Sequence, residues 1–283
     1  MTRPCSFNKV IHLRIGLAVA TMEELPEIKR KKRIRELFKM AADLGYDGVE
    51  LHISNPSKVD TPFLKDLSAT HGLEIPAIGT GPTYVHYGIS FLNNPRVRRR
   101  ALDRLRKYVE LARDLEAIVI IGLIRGRLAE ERFTFPRAWQ IILDCLANSA
   151  IVAEDHGIVL ALEPINRYET ELINTVSEAL KMTSAINSEN VKIMADTFHM
   201  NIEEVTIEGA LQQAGRELVH FHVADSNRLA PGKGHLDFAR IMSELSEIGY
   251  DRYVSAEILL KPSVKQAFLD TVQYLKPLLT TRS

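Results

Sequence analysis

Apolar and polar positions along this chain follow two rhythms that take turns. Short unbroken apolar runs, of the kind that form strands buried on both faces, lie near 11–18, 48–51, 73–79, 117–122, 158–163, 191–196, 218–224 and 253–257. Between them stand longer segments with apolar residues at helical spacing, near 32–44, 61–71, 95–116, 135–156, 175–187, 203–215, 236–248 and 264–279. In the first of these, Ile34, Leu37, Phe38 and Ala41 share one face. The punctuation also repeats. A helix stops at glycine and a strand begins one or two residues later, at Gly45, HGLEI (71–75), HGIVL (156–160) and IGYDRYV (248–254). Thr175-Val-Ser-Glu178 has the spacing of a capping box. Eight strand–helix units of about thirty-five residues predict an α/β fold, a parallel (β/α)8 TIM barrel, with residues 1–283 as one domain. Pro76 is awkward within the third strand, where a local bulge is expected.

The connections are lopsided. Links from helix to strand are short, whereas links from strand to helix are long and polar: Thr80–Asn94, Leu123–Thr134, Pro164–Asn174 and Asp225–Gly234. In a barrel these long loops crown the carboxyl ends of the strands, where such folds keep their chemistry. The last four apolar runs end there on polar groups: VLALE at Glu163, VKIMAD at Asp196, VHFH at His222 and YVSAE at Glu257. Neighbouring staves lie about 5 Å apart, so side chains at their tips can converge on one ion. Three carboxylates and one imidazole suit a single divalent cation, Mn²⁺ first, with Mg²⁺ or Co²⁺ as alternatives, better than they suit structural zinc. For any one of these residues alone, a local cap or salt bridge would be the simpler reading.

Composition narrows the setting. With 36 basic and 36 acidic residues the formal net charge is zero, so no global field recruits nucleic acid or a membrane. Two cysteines, Cys5 and Cys145, form no CxxC pattern, which fits a reduced, cytoplasmic protein without disulfides. No apolar run reaches membrane-spanning length. Val10–Ala20 has the look of a signal segment ending in AVA, but His12 and Arg14 interrupt it, and it is read as the first strand. The basic runs KRKKRIR (29–35) and RVRRR (96–100) lack interleaved aromatics and are read as solvated helix faces.

LEPINRYET (162–170), ADTFHMNIEE (195–204), HFHVADSNRLAPGKGH (220–235) and SAEIL (255–259) resemble the D-tagatose/D-psicose 3-epimerase family of xylose isomerase-like TIM barrels. AIGTG (77–81), VIIGLIRGR (119–127) and NRYET look closer still to the 5-keto-L-gluconate epimerase branch. The resemblance is specific from about Ala117 to Leu259 and looser before that. It implies that Glu163, Asp196, His222 and Glu257 bind the metal, that Glu163 and Glu257 are the catalytic acid–base pair, and that Glu169, His199 and Arg228 hold the substrate's first carbons. The loops that would grip the far end of the sugar match the ketohexose enzymes poorly, which leaves the sugar itself open.

The chemistry is consistent with these residue types. Inverting the carbon beside a ketone removes a weakly acidic proton and returns one to the opposite face. A Lewis-acidic cation stabilises the enediolate, and two carboxylates flanking its plane exchange the roles of base and acid. Arg228 would add positive charge and His199 a hydrogen bond near the developing oxyanion. Arg125 and Arg127 follow the fourth strand on the same rim. An arginine there can grip a carboxylate or phosphate, so Arg125 is expected to bind substrate and to favour a keto-uronate or other acidic sugar. The plainer alternative is solvation, or pairing with Glu130 or Glu131. His220 is read as a hydrogen-bonded histidine behind His222, and Glu50 as either a substrate contact or part of a polar network. His52, His86 and His235 are read as loop or rim residues.

The expected activity is therefore a metal-dependent epimerase acting on a small sugar or sugar acid, with a homo-oligomer left open. An aldose–ketose or hydroxypyruvate isomerase would use the same enediolate. A DNA-repair nuclease like endonuclease IV would need further histidines on the early strands, where only His12, His52 and His86 stand. A non-catalytic sugar-binding barrel is disfavoured because both glutamates are present.

Overall fold

The computed structural model describes residues 13–21, 25–128 and 133–280. Eight parallel strands close into a barrel in chain order: β1 (Arg14–Ala20), β2 (Gly48–His52), β3 (Ala77–Gly79), β4 (Ile118–Ile121), β5 (Leu160–Leu162), β6 (Val191–Asp196), β7 (Leu218–Val223) and β8 (Tyr253–Ala256). Pairing of Gly16 with both Gly48 and Ser255 seals the seam between β1 and its neighbours on either side. The expected fold is the observed one. His12, Cys5, Glu130 and Glu131 lie outside the described residues, as does most of the start of the signal-like stretch.

Helices cover the barrel: α1 (Glu27–Leu44), α2 (Thr61–His71), α3 (Gly81–Tyr87), α4 (Pro95–Leu115), α5 (Phe135–His156), α6 (Val176–Ile186), α7 (Thr197–Glu203), α8 (Ile207–Ala214), α9 (Phe238–Glu247) and α10 (Val264–Thr280). The apolar faces read from the sequence are the buried ones, with Ile34, Leu37, Phe38 and Ala41 of α1 packed into the layer between helices and sheet. Gly45 and Gly157 take the left-handed φ expected where α1 and α5 stop. Where no glycine is present, Glu116 and Asn187 adopt the same conformation at the ends of α4 and α6.

Three details differ from the pattern. The segment 203–215 is not one helix, because α7 stops before Glu204 and α8 restarts at Ile207 under a Thr206 cap. The third strand is short, since Pro76 offers no N–H; Glu74 bridges to Gly48, and pairing resumes at Ala77. At α6 the Thr175 hydroxyl accepts from the Glu178 N–H, but the Glu178 carboxylate accepts from Asn174 N–H rather than closing a reciprocal box.

Inside the barrel a small apolar cluster of Ala77, Ile120, Ala161, Met194 and Val219 fills one level. Because side chains alternate along a strand, the residues two positions beyond Ala161 and Met194 point the same way, and they are Glu163 and Asp196. The apolar plug thus supports a polar layer at the carboxyl ends.

Candidate active site

Glu163 and Glu257 each follow the last residue of their strand, Asp196 ends β6, and His222 stands one residue before the end of β7. Asp196 pairs in register with His222, and His222 with Ser255. One donor atom from each of Glu163, Asp196, His222 and Glu257 lies within 4.8 Å of the others. The structure therefore brings together all four tips on β5–β8.

The Asp196 carboxylate is divided in its duties. Its Oδ1 accepts the Phe198 N–H at 2.7 Å and starts α7, while the buried Oδ2 has no hydrogen-bond partner among the described residues. His222 is divided in the same manner. Its Nε2 donates to the Glu50 carboxylate at 2.9 Å, and its buried Nδ1 has no hydrogen-bond partner among the described residues, standing 3.8 Å from Asp196 Oδ2 and 3.6 Å from Glu257 Oε2. Buried polar atoms are nearly always satisfied, so two orphans facing one point call for a group between them. A positive group suits this point: Glu50, Asp196 and Glu257 outweigh burial and hold the His222 pKa well above its ordinary value, and a divalent cation in place of that proton fits the same donor set.

Behind this cluster Glu50 is fully buried and accepts hydrogen bonds from three imidazoles: His52 Nε2 and His220 Nε2, both at 2.7 Å, and His222 Nε2. Burial opposes its charge, but His222 and His220 hold its pKa well below the ordinary carboxylate range. An ionised Glu50 fixes one proton of His222 on Nε2, so the nitrogen that can act as a ligand, on loss of its own proton, is Nδ1.

The two glutamates are tuned apart. Burial, reinforced by Glu257 and Asp196, pushes the Glu163 carboxyl up to about 7 against the pull of His199 and His222. Glu257 is held well below the usual range, because His222, His52 and Arg228 together outweigh burial. Gly122 gives the Glu163 side chain its place, since a Cβ there would lie 2.7 Å from Oε2.

Glu169, His199 and Arg228 line the same cavity, of about 70 Å³. Arg228, in left-handed backbone with φ +61°, bonds Glu169 at 2.9 Å and Glu257 at 3.3 Å and lies over the Phe198 ring at 4.9 Å. Asn166 Nδ2 donates to His199 Nδ1 at 2.7 Å, which assigns the imidazole proton to Nε2, 3.9 Å from Glu163 Oε1.

Residues 38–278 match the family described as xylose isomerase-like TIM barrel. The chain belongs to that family. Among its relatives, the D-psicose 3-epimerase of Ruminiclostridium cellulolyticum is 32% identical over 266 residues, covering 89% of this chain and 85% of that protein. The 3-dehydro-D-guloside 4-epimerase of Escherichia coli is 29% identical, covering 87% of this chain and 95% of that one. The solved structure of an L-ribulose 3-epimerase superposes with a TM-score of 0.81 at 26% identity, over 94% of each chain. The likeness to ketose 3-epimerases read from the motifs is borne out.

Within this xylose isomerase-like barrel Arg125 is not at the mouth, which corrects the expectation that it meets substrate. Its side chain is fully buried: Nη1 donates to the carbonyls of Ile121, Gly122 and Glu163, and Nη2 to those of Leu172 and Ile173. After β4 the chain turns through the short 3₁₀ segment Leu123–Arg125, which carries the guanidinium beneath the rim, where strand-end carbonyls lack partners. Burial lowers its pKa to about 10. Arg127 instead approaches Glu171 at 3.5 Å. Sequence reasoning placed His52 on the rim without a role, yet it lines the cavity. The alternation Glu50-Leu51-His52 at a strand end was the available signal. His86 and His235 are exposed and outside the cavity lining, while Glu50 and His220 form the buried polar network.

Proposed function

We propose that this chain is a divalent-cation-dependent sugar epimerase that inverts the carbon adjacent to the carbonyl of a ketose. The observation that carries the reading is the convergence of Glu163 and Glu257 on one cavity around the unpartnered Asp196 Oδ2 and His222 Nδ1. Glu163, Asp196, His222 and Glu257 would hold the ion. Three carboxylates with one imidazole favour Mn²⁺, with Mg²⁺ or Co²⁺ as substitutes. When bound, the cation would draw electron density from the substrate carbonyl and make the neighbouring C–H more acidic.

The protein's own groups do the proton work. Glu257, held ionised by His222, His52 and Arg228 against its burial, is suited to take the proton from carbon. Glu163, the other carboxylate of the pair, is suited to pass a proton to the other face of the planar enediolate. In the reverse direction the roles exchange. The His199 Nε2–H donates to a substrate oxygen, and Arg228 places positive charge beside the oxygen that becomes negative.

The substrate is a neutral ketose rather than a keto-uronate. Arg125, the basis for an acidic sugar, is occupied with carbonyls, and Arg228 is already paired with Glu169 and Glu257. The relatives named for D-psicose and L-ribulose 3-epimerisation support this class. Among the described residues no helix is long and apolar enough to cross a membrane. The test is incubation of Mn²⁺-loaded protein with ketoses and keto-uronates in deuterated water. One deuteron at the carbon beside the ketone, with inverted configuration, is expected. Deuterium at the former carbonyl carbon, yielding an aldose, would replace epimerisation with isomerisation.

A further inference from the structure

His52 ends β2 and neither takes nor gives a proton in the transfers described above. Its Nε2 donates to Glu50 Oε1 at 2.7 Å, and that same buried carboxylate accepts from His220 and His222. Glu50 fixes a proton on the Nε2 of both rings and turns the Nδ1 of each to the cavity side. The two rings lie 6.2 Å apart and only 28° from parallel. The His222 Nδ1 faces the cluster of carboxylates. The His52 Nδ1 stands 3.6 Å from Glu257 Oε1, too far for a good hydrogen bond, on a side chain 19% exposed to the cavity.

The fold makes room for this ring. On the neighbouring strand, a Cβ at Gly79 would lie 2.7 Å from His52 Cδ2 and 2.9 Å from Nε2. Any side chain there would drive the imidazole from its place between Glu50 and Glu257. The ring is thus anchored at one nitrogen, and its other nitrogen is presented beside a carboxylate of the reacting pair.

We infer that His52 is a substrate-contacting residue whose Nδ1 hydrogen-bonds a sugar hydroxyl close to the reacting carbon. Sugars lacking that hydroxyl, or carrying it in the other configuration, lose the bond and are discriminated against. The inference deepens the epimerase reading and rests on it. Glu50, His52 and His222 also offer donor atoms within 4.8 Å of one another, the spacing of a second cation site. The Nε2 atoms of both rings already donate to Glu50, so a substrate contact at Nδ1 uses the ring as it stands.

The experiment compares His52→Asn, His52→Gln and His52→Leu with the wild type, all loaded with Mn²⁺. D-psicose and its 1-, 4-, 5- and 6-deoxy analogues serve as probes, with affinity measured by calorimetry and turnover in parallel. Asparagine places its amide near the position of Nδ1, and glutamine near that of Nε2. The Asn variant is expected to keep most of the wild-type affinity and kcat/KM, while Gln and Leu lose about tenfold. That loss should vanish for one deoxy analogue, and Mn²⁺ binding should stay at one ion per chain in every variant. A Gln variant equal to wild type beside a defective Asn variant would make His52 a mere support for Glu50 and overturn the inference. So would a Leu variant that handles every sugar as the wild type does, or two Mn²⁺ per chain. A wild-type protein that binds D-psicose without epimerising it would refute the epimerase reading, while the affinity series would still decide the role of His52. A wild-type protein that binds none of the sugars refutes both.

Discussion

The two halves of the barrel end differently. The tips of β5 to β8 carry charge, with Glu163, Asp196, His222 and Glu257 turned toward one point. The tips of β2 to β4 carry room: Gly79 leaves space for His52, and Gly122 leaves space for the Glu163 carboxylate. One half supplies donors and the other supplies the volume they occupy and face. A site of this kind can fail in either half, and the two failures have different signatures.

The largest effect is expected from the charged half. Glu257→Gln and Glu163→Gln should each lower kcat by about a thousandfold or more with little change in thermal unfolding, as measured by turnover and calorimetry. Full activity in either variant would remove the two-carboxylate scheme. Arg125→Ala breaks the comparison elsewhere, since it leaves several buried carbonyls without donors beneath the quieter half. It should cost about 2–4 kcal/mol in chemical denaturation and should affect neutral and acidic sugars equally. A selective loss of acidic substrates would restore Arg125 to the mouth. Gly122→Ala should lower kcat/KM about tenfold or more by displacing Glu163, with cation binding weakened in step. The smallest effect concerns protons. Without an ion, burial keeps Glu163 protonated up to about pH 7, and ligation requires its carboxylate. Mn²⁺ binding at pH 6 should therefore release a proton that it does not release from Glu163 at pH 8, and affinity should rise between these values. Calorimetry in buffers of different ionisation enthalpy reads this directly; affinity that falls with pH would contradict it.

Why some of this was legible in the chain and some was not has a physical basis. A strand buried on both faces reads as an apolar run, so a polar residue at its end stands out, and all four donors were visible that way. Helix ends were visible through Gly45 and Gly157, whose conformation few other residues adopt without strain. Arg125 was not legible. Its position after β4 is plain in the sequence, but the inward turn that buries it depends on carbonyls of Glu163, Leu172 and Ile173, some forty residues away along the chain. Glu50 presented the same difficulty, since its three imidazole partners lie on β2 and β7. The short helices α3 and α7 have too few residues for a helical rhythm to show.

Asp196 and His222 would be among the residues that hold one divalent cation. Titration of Mn²⁺ into the metal-free protein, followed by electron paramagnetic resonance, tests this most directly when repeated on Asp196→Asn and His222→Asn. One tightly bound ion per chain in the wild type, and binding weakened at least a hundredfold in both variants, is the result this account predicts. No specific binding in the wild type, or undiminished binding when either side chain is replaced, would contradict it.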